Sequence, residues 1–122
     1  MSISDAESLV MQVLWERHPL SAEEVVTALA QTTDWQEPTI KTLLNRLLKK
    51  RAISAQREGR RYLYRPLLKR EDYVHAASKG LLDRLFEGRV APLVAHFSRT
   101  RTLSKKDVAE LKRLIAEIDD DR

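Results

Sequence analysis

Cysteine is absent from the 122-residue sequence, and glycine occurs only three times. Without cysteine there is no disulfide framework, no thiolate nucleophile and no cysteine-rich zinc or copper site. With three glycines, a glycine-rich loop that cradles phosphates is hardly possible. These absences exclude several classes of enzyme and metal-binding protein before any motif is considered.

Long apolar segments are also absent. No stretch approaches the ~20 apolar residues of a membrane span, and the first residues lack the basic and apolar regions of a secretory signal. We therefore expect a cytoplasmic protein that is not inserted in a membrane. The three histidines, His18, His75 and His96, have no partner histidine at the spacing of a helical metal site. We predict no metal, no cofactor, no catalytic residue and no enzymatic activity.

Positive charge is concentrated in one window of the chain. The formal net charge is +4, but residues 36–70 hold eleven of the 22 basic residues and only two of the 18 acidic ones. Residues 1–35 are acidic, and residues 71–122 hold ten residues of each sign. A basic stripe of this kind is an electrostatic footprint for phosphates, although a plain solvated surface can have the same composition.

The first half of the chain has the pattern of three helices followed by a hairpin. S-x-x-E capping boxes that begin at Ser4 and Ser21 start the first two helices. The second helix should end near Thr32-Thr33, and the third should run from residue 37 to about residue 52.

The predicted third helix has two faces of opposite character. At about 100° per residue, apolar residues share one side, and polar and basic residues share the other. A helix of this kind can pack on two other helices while its polar face points outward. The apolar side holds Ile40, Leu43, Leu44, Leu47 and Leu48, and the polar side holds Lys41, Thr42, Asn45, Arg46 and Lys49.

A change of period follows the third helix. Residues 53–58 and 62–65 are predicted to be two strands, with Gly59 in the tight turn between them. Three helices and a two-stranded hairpin within about 66 residues is the order of a winged helix-turn-helix domain. The sequence therefore predicts a mostly α protein with a winged-helix domain over residues 1–69.

In a helix-turn-helix the last helix of the motif enters the major groove. Arginine and lysine donate to guanine, asparagine pairs with adenine, and a threonine methyl group contacts thymine. The predicted partner is therefore double-stranded DNA. The candidate base-reading residues are Thr39, Lys41, Thr42, Asn45 and Arg46, of which Lys41 and Arg46 can serve phosphates instead. The candidate phosphate-contacting residues are Lys49, Lys50, Arg51, Arg57, Arg60 and Arg61.

Residues 70–122 are predicted to form helices with apolar stripes. Three helices in about 52 residues make a poor independent core, so we expect this domain to bury its stripes against a second copy of the chain. The alternative is that these helices fold back on the winged-helix domain of a monomer. The candidate dimer-interface residues are Leu81, Leu82, Leu85, Phe86, Leu93, Val94, Phe97, Leu111, Ile115 and Ile118.

Other binding functions fit parts of the same pattern. Trp15 and Trp35 can be stacking platforms for single-stranded nucleic acid, although both are as easily core residues. A basic winged helix can also serve protein–protein contact. The alternative function is therefore an RNA-binding or protein-interaction module, and salt-dependent binding to duplex DNA rather than RNA separates the classes.

Several segments resemble the BlaI/MecI penicillinase-repressor family, namely residues 3–7, 13–16, 34–35, 39–50 and 64–67, with Gly88, Leu93-Val94, Phe97, Leu103-Ser104 and Glu110-Leu111. The resemblance implies a homodimer that binds a palindromic operator and represses transcription, often of β-lactamase or related cell-wall response genes. Thr39 and Thr42 match base-contacting threonines of the family pattern. Pro38 stands where well-known relatives carry lysine, and Asn45 stands where they carry threonine.

The resemblance also implies a way in which repression ends. In the family, a membrane sensor with a metalloprotease domain triggers cleavage between an asparagine and a phenylalanine of a short C-terminal helix. Phe97 matches the phenylalanine, and His96 replaces the asparagine. The candidate cleavage site is therefore His96-Phe97, and the implied partner is a membrane sensor-transducer. Phe97 can equally be an aromatic of the dimer core.

Overall fold

The computed structural model describes residues 2–121. Contacts divide the chain into two compact units, an N-terminal unit that ends at His75 and a C-terminal unit that begins at Ala76. The described elements are α1 (Asp5–Glu16), α2 (Ala22–Leu29), α3 (Glu37–Lys49), β1 (Ile53–Glu58), β2 (Arg61–Pro66), α4 (Arg70–Leu85), α5 (Val90–Arg99) and α6 (Lys105–Asp120). The predicted winged-helix order of three helices and a hairpin is confirmed.

Both predicted capping boxes are present at the starts of α1 and α2. The N–H of Ser4 donates to Oε1 of Glu7 at 2.9 Å, and the N–H of Glu7 donates to the hydroxyl of Ser4 at 3.1 Å. Ser21 and Glu24 make the same reciprocal pair at 2.9 and 3.2 Å. Each box satisfies two backbone donors that the first turn of a helix leaves without an intrahelical partner.

α2 is shorter than the sequence predicts, because it ends at Leu29 rather than near Thr32-Thr33. The backbone N–H and the hydroxyl of both threonines donate to the carbonyl oxygen of Leu29. Threonine side chains compete in this way with the regular helical bonds, and the helix stops where they do so.

α3 is also shorter than predicted, since it ends at Lys49 and not near Ala52. Arg51 has a φ of 59°. The N–H groups of Arg51 and Ala52 donate to the carbonyl oxygens of Leu48 and Leu47, both at 3.0 Å. This pair of bonds is a Schellman motif, which usually has glycine in the left-handed position. Because arginine occupies that position here, no glycine in the sequence marks the end of the helix.

The hairpin, which we call the wing, pairs β1 with β2 in antiparallel register. Ile53 lies opposite Pro66, and Glu58 lies opposite Arg61. Gly59 makes the turn with a φ of 64°, a conformation that other residues adopt at a cost. Each end of β2 extends one residue beyond the predicted strand, and Pro66, which has no N–H, closes the ladder.

A short bridge holds the wing to the chain that enters α2. The N–H of Leu20 donates to the carbonyl oxygen of Tyr64 at 3.2 Å, and the N–H of Tyr64 donates back to Leu20 at 2.8 Å. Both residues are buried. The wing is therefore anchored beside α2 by backbone bonds as well as by its tyrosine.

The core of the N-terminal unit lies between α1, α2, α3 and the wing. Three leucines of α3 and Ile40 are buried, as the two-faced pattern predicts, and Leu48 is partly buried against them. Among residues 2–121, the buried hydrophobic side chains are Val10, Met11, Leu14, Leu20, Ala22, Val25, Leu29, Ile40, Leu43, Leu44, Leu47, Ala52, Ile53 and Tyr64.

Trp15 connects α1 to the start of α4. Its indole N–H donates to the carbonyl oxygen of Leu68 at 2.8 Å, and its ring centroid lies 5.6 Å from that of Tyr73. The first residues of α4, up to His75, belong to the N-terminal unit.

The C-terminal unit has helices but no buried residue within its described part, residues 76–121. Ser104 and Asp107 form a capping box at the start of α6. Within residues 2–121, no helix has both the length and the apolar character that a membrane crossing needs. The large apolar side chains that this unit leaves exposed are Leu85, Val90, Phe97, Val108, Leu114, Ile115 and Ile118.

Candidate nucleic-acid interface

The outward side of α3 carries every candidate base-reading residue. These side chains are exposed, whereas the leucines on the opposite side of the same helix are buried. The packing of α1 and α2 on the leucines therefore orients the polar side away from the core. We call the exposed set the reading face, which comprises Thr39, Lys41, Thr42, Asn45 and Arg46.

Two side chains of the reading face have partners within α3. Nζ of Lys41 lies 3.1 Å from Oε1 of Glu37, one turn earlier, and both side chains are roughly half exposed. The hydroxyl of Thr42 donates to the carbonyl oxygen of Pro38 at 3.0 Å. An exposed ion pair at this spacing is worth only about 0.3–0.5 kcal/mol, so Lys41 can exchange it for another anion.

The start of α3 differs from the starts of α1 and α2. Within the described chain, Gln36 at the N-cap position makes no side-chain hydrogen bond to the first turn, and Pro38 follows within it. The backbone N–H groups of Glu37 and Thr39 are therefore left to solvent or to a ligand at the positive end of the helix dipole.

Lys50, one of the candidate phosphate-contacting residues, has partners within the protein. Its Nζ donates to Oε1 of Glu7 at 2.6 Å and to the carbonyl oxygen of Ser2 at 2.8 Å. The Glu7 side chain is only 1% exposed. Lys50 therefore joins the end of α3 to the start of α1, while Lys49 and Arg51 beside it remain exposed.

Glu7 is the buried end of this ion pair. Burial is the largest influence on its pKa and raises it, but the hydrogen bonds from Lys50 and Ser4 together outweigh burial and leave the pKa below its ordinary value. Its Oε2 atom has no hydrogen-bond partner among the described residues. The sequence signal for Glu7 was its capping box alone, because Lys50 lies 43 positions away.

The wing carries three of the candidate phosphate-contacting arginines, all exposed. Nε of Arg57 donates to the carbonyl oxygen of Gly59 at 3.2 Å. NH1 of Arg61 lies 3.8 Å from Oε1 of Glu24. Hydrogen bonds from Ser21, first of all from its backbone N–H, lower the pKa of Glu24, and the charge of Arg61 adds a smaller part.

An open cleft of about 620 Å³ separates the start of α3 from the wing. Burial raises the pKa of the Tyr64 hydroxyl on its wall, and the charge of Lys41 opposes this in part. The cleft combines carboxylates, cations and two tyrosines. Its lining residues are Ser21, Ala22, Glu23, Glu37, Lys41, Glu58, Arg60, Arg61, Tyr62 and Tyr64.

The residues that the alternatives depended on lie elsewhere. Trp15 and Trp35 are both partly buried against the core. Among residues 2–121, no three histidine, aspartate or glutamate side chains come together as metal ligands.

The candidate cleavage residues lie within α5. The carbonyl oxygen of His96 accepts from the N–H of Thr100, and that of Phe97 accepts from the N–H of Thr102. The His96 ring centroid lies 6.3 Å from Phe86 and 5.1 Å from Phe97. Of the candidate dimer residues, Leu81, Leu82, Phe86, Leu93, Val94 and Leu111 are half-buried, and Leu85, Phe97, Ile115 and Ile118 are exposed.

A family model described as penicillinase repressor matches residues 3–117. The chain belongs to the penicillinase repressor family. The resemblance inferred from the sequence is thereby confirmed, and the protein is a DNA-binding transcriptional repressor rather than an enzyme.

Curated relatives match over almost the whole chain. The penicillinase repressor of Bacillus licheniformis is 36% identical over 115 residues, which cover 94% of this chain and 90% of the relative. The penicillinase repressor of Staphylococcus aureus is 30% identical and covers 97% and 94%. The methicillin resistance regulatory protein MecI of Mammaliicoccus sciuri is 29% identical and covers 93% and 92%.

Solved structures match both the winged-helix half and the overall helical fold. The DNA-binding domain of the repressor BlaI is 42% identical, with a TM-score of 0.54 over 59% of this chain and 88% of that domain. Monomeric Bacillus licheniformis BlaI in complex with the blaP half-operator is 41% identical, with a TM-score of 0.52 over 60% and 89%. MepR, a regulator of a Staphylococcus aureus efflux pump, shares the fold at 17% identity and a TM-score of 0.56 over 96% and 78%.

Proposed function

We propose that this repressor binds a palindromic operator as a homodimer and controls β-lactamase or other cell-wall-stress genes. One observation carries the proposal, namely that α3 buries its leucines in the core and leaves a face of cations, amide and threonines exposed. The donors of such a face match the acceptors that base pairs present in the major groove.

Each exposed residue has a place in the proposed complex. The reading face contacts base edges, and the basic residues around it contact phosphates, which position the protein on the duplex. Lys50 is left out of the second set because Glu7 holds it. A relative of 41% identity is described in complex with a half-operator as a monomer, which is half of the assembly proposed here. The proposed phosphate contacts are Lys49, Arg51, Arg57, Arg60 and Arg61.

The C-terminal unit supports the dimer. Its described residues include no buried side chain, while seven large apolar ones are exposed. Burying this surface against a second copy removes apolar area from water, which stabilises an assembly by roughly 25 cal/mol per Å² before the costs of association. A two-fold dimer also repeats the reading face about 34–36 Å away, or a multiple of that distance, as a palindromic operator requires.

Two arginine substitutions test which residues contact base edges and which contact phosphates. We expect Arg46→Ala to reduce affinity for the selected operator by about 1–3 kcal/mol, because a bidentate base contact is lost. We expect Arg60→Ala to weaken binding to every duplex alike and to lower the salt dependence by about one phosphate contact. Fluorescence anisotropy with operator, scrambled duplex and duplex RNA at several salt concentrations measures both effects.

The two variants serve as controls for each other. If Arg46→Ala leaves operator affinity unchanged, Arg46 is removed from the reading face. A sequence-selective loss in Arg60→Ala contradicts its assignment to phosphate. Tighter binding of the wild type to RNA than to DNA overturns the proposed function.

The dimer is tested at Ile115, which is 57% exposed on α6. We expect the wild type to sediment as a dimer and Ile115→Asp to sediment as a monomer that binds a palindrome no better than a half-site. Lys112→Asp, on the same helix but at a position that is already charged, should remain a dimer. A wild type that is monomeric at micromolar concentration contradicts the proposal.

We further propose that cleavage between His96 and Phe97 ends repression, with a membrane sensor-transducer supplying the signal. The bond lies close to the end of α5, so only the last turn has to open before a protease can bind it in extended form. Mass spectrometry of the repressor from cells treated with a β-lactam should find a fragment that ends at His96. Derepression with only intact chain contradicts this part of the proposal.

A further inference from the structure

The reading helix carries a single carboxylate. Glu37 is the only acidic residue in the sequence from residue 36 to residue 57, a segment with six lysines and arginines. It occupies the first position of α3, and its side chain is 41% exposed on the wall of the cleft. A negative charge therefore lies at the end of the helix that reaches the bases.

A carboxylate at this place weakens binding to most DNA. Duplex DNA carries one negative charge per about 1.7 Å of its axis, so Glu37 is repelled by every sequence alike. The repulsion is compensated only where a base presents a donor to the carboxylate. The major groove offers two such donors, the N4 amine of cytosine and the N6 amine of adenine. The adenine amine lies beside the N7 acceptor, which repels a carboxylate, so glutamate and aspartate pair with cytosine.

The contact with Lys41 leaves Glu37 available for such a bond. The pair is 3.1 Å apart, one turn apart on one side of α3, and roughly half exposed at both ends. Opening it costs little, because both side chains are solvated. The ammonium can then donate to O6 or N7 of a guanine while the carboxylate accepts from a cytosine.

We propose that Glu37 is a specificity-determining residue that selects cytosine in the operator, with Lys41 donating to a neighbouring guanine. The inference rests on the proposed function, since it assumes that α3 lies in the major groove. The proposal adds an acidic base-reading residue to a face whose other members are neutral or basic.

A simpler role for Glu37 makes a different prediction. An acidic residue in the first turn stabilises a helix through its dipole, and α3 has no side-chain cap within the described chain. If Glu37 had only this role, its replacement would lower the melting temperature slightly and leave the base preference unchanged. Base preference is therefore the measurement that separates the two roles.

The experiment selects bound sequences from a random duplex library with the wild type, Glu37→Gln and Glu58→Gln. Glu58 is the matched control, because it lines the same cleft but lies on the wing. We expect one position in each half-site to change from cytosine towards adenine in Glu37→Gln, since glutamine pairs with adenine. The wild type should prefer cytosine there about five- to tenfold, a discrimination that Glu58→Gln should retain.

The outcomes separate the inference from the proposed function. A motif that is identical in the wild type and a folded Glu37→Gln overturns the inference alone. A motif that changes as much in Glu58→Gln as in Glu37→Gln also overturns it, because the effect is then one of charge and not of position. A wild type that enriches no duplex motif overturns the proposed function, and the inference with it.

Discussion

The two units of this repressor use their apolar residues in different ways. The N-terminal unit buries leucines from three helices together with residues of the wing. The C-terminal unit has helices of similar length, yet its described residues include none that is buried, and seven large apolar side chains are exposed. Capping boxes start helices in both units, so the difference is one of tertiary packing and not of helix formation.

We expect the N-terminal unit to fold without the C-terminal unit. A unit with its own core is stable by itself, whereas a short helical unit without one depends on burial elsewhere. The DNA-binding domain of BlaI, similar to 59% of this chain, has been solved as a separate structure. Both tryptophans, Trp15 and Trp35, lie in the N-terminal unit, so tryptophan fluorescence follows its unfolding selectively.

The largest effect is expected from the replacement of one leucine by alanine in each unit. Leu44→Ala should lower the free energy of unfolding of the N-terminal unit by about 2–5 kcal/mol at every protein concentration, because it leaves a cavity in the core. Leu111→Ala should leave that transition unchanged and instead raise the dimer dissociation constant. Urea titrations by tryptophan fluorescence, with sedimentation of both variants, measure the contrast.

A different result would show whether the two units unfold together. If Leu111→Ala shifts the fluorescence transition as far as Leu44→Ala, the two units unfold as one. Ile115→Ala, at a more exposed place on α6, then tests whether the coupling extends along the helix.

A smaller loss of stability is expected from removing the Glu7–Lys50 ion pair, which lies in the N-terminal unit. Glu7→Gln keeps an oxygen that can accept from the N–H of Ser4 but loses the charge that Lys50 binds. Hydrogen bonds to charged groups contribute about 1.5–3 kcal/mol, so the variant should lose up to that amount at neutral pH.

The acid dependence of the same pair has a definite sign. The folded pKa of Glu7 is lower than the ordinary value of 4.5, so the unfolded chain takes up the proton first as the pH falls. The stability from Glu7 is complete above about pH 4.5 and is lost as the pH falls through the folded pKa. Urea titrations at pH 7 and pH 4 should therefore show a larger loss for the wild type than for Glu7→Gln. Equal losses would assign the acid sensitivity to other carboxylates.

The smallest effect is expected from replacing the arginine with positive φ that follows a helix in each unit. Arg51 ends α3 and Arg101 ends α5 with φ values of 59° and 58°. Arg51→Gly should stabilise the N-terminal unit by at most about 1 kcal/mol, because glycine adopts this conformation without strain. Arg101→Gly should leave the tryptophan transition unchanged. A gain in both variants would show that the units unfold together, and a loss in Arg51→Gly would show that the arginine side chain stabilises the fold.

Most of the N-terminal unit was predictable because its signals are local. The capping boxes join residues three positions apart, and the buried side of α3 follows from a 3.6-residue period. The exposed polar side of α3 was predicted for the same reason, since it is what remains when the leucines are buried. The role of Lys50 was not predictable, because a lysine at the end of a basic helix has the same local pattern whether it contacts a phosphate or Glu7.

By itself, the sequence determined the order of the elements, the polarity of α3 and the membership of a repressor family. The tertiary structure decided where α3 ends, which lysine pairs with the buried Glu7, and how the wing is held by Leu20. These features join residues that are distant in the chain, such as Glu7 and Lys50. Hydrophobic period and capping signals report the surroundings of a residue within a turn or two, so contacts over such distances become visible only once the chain is folded.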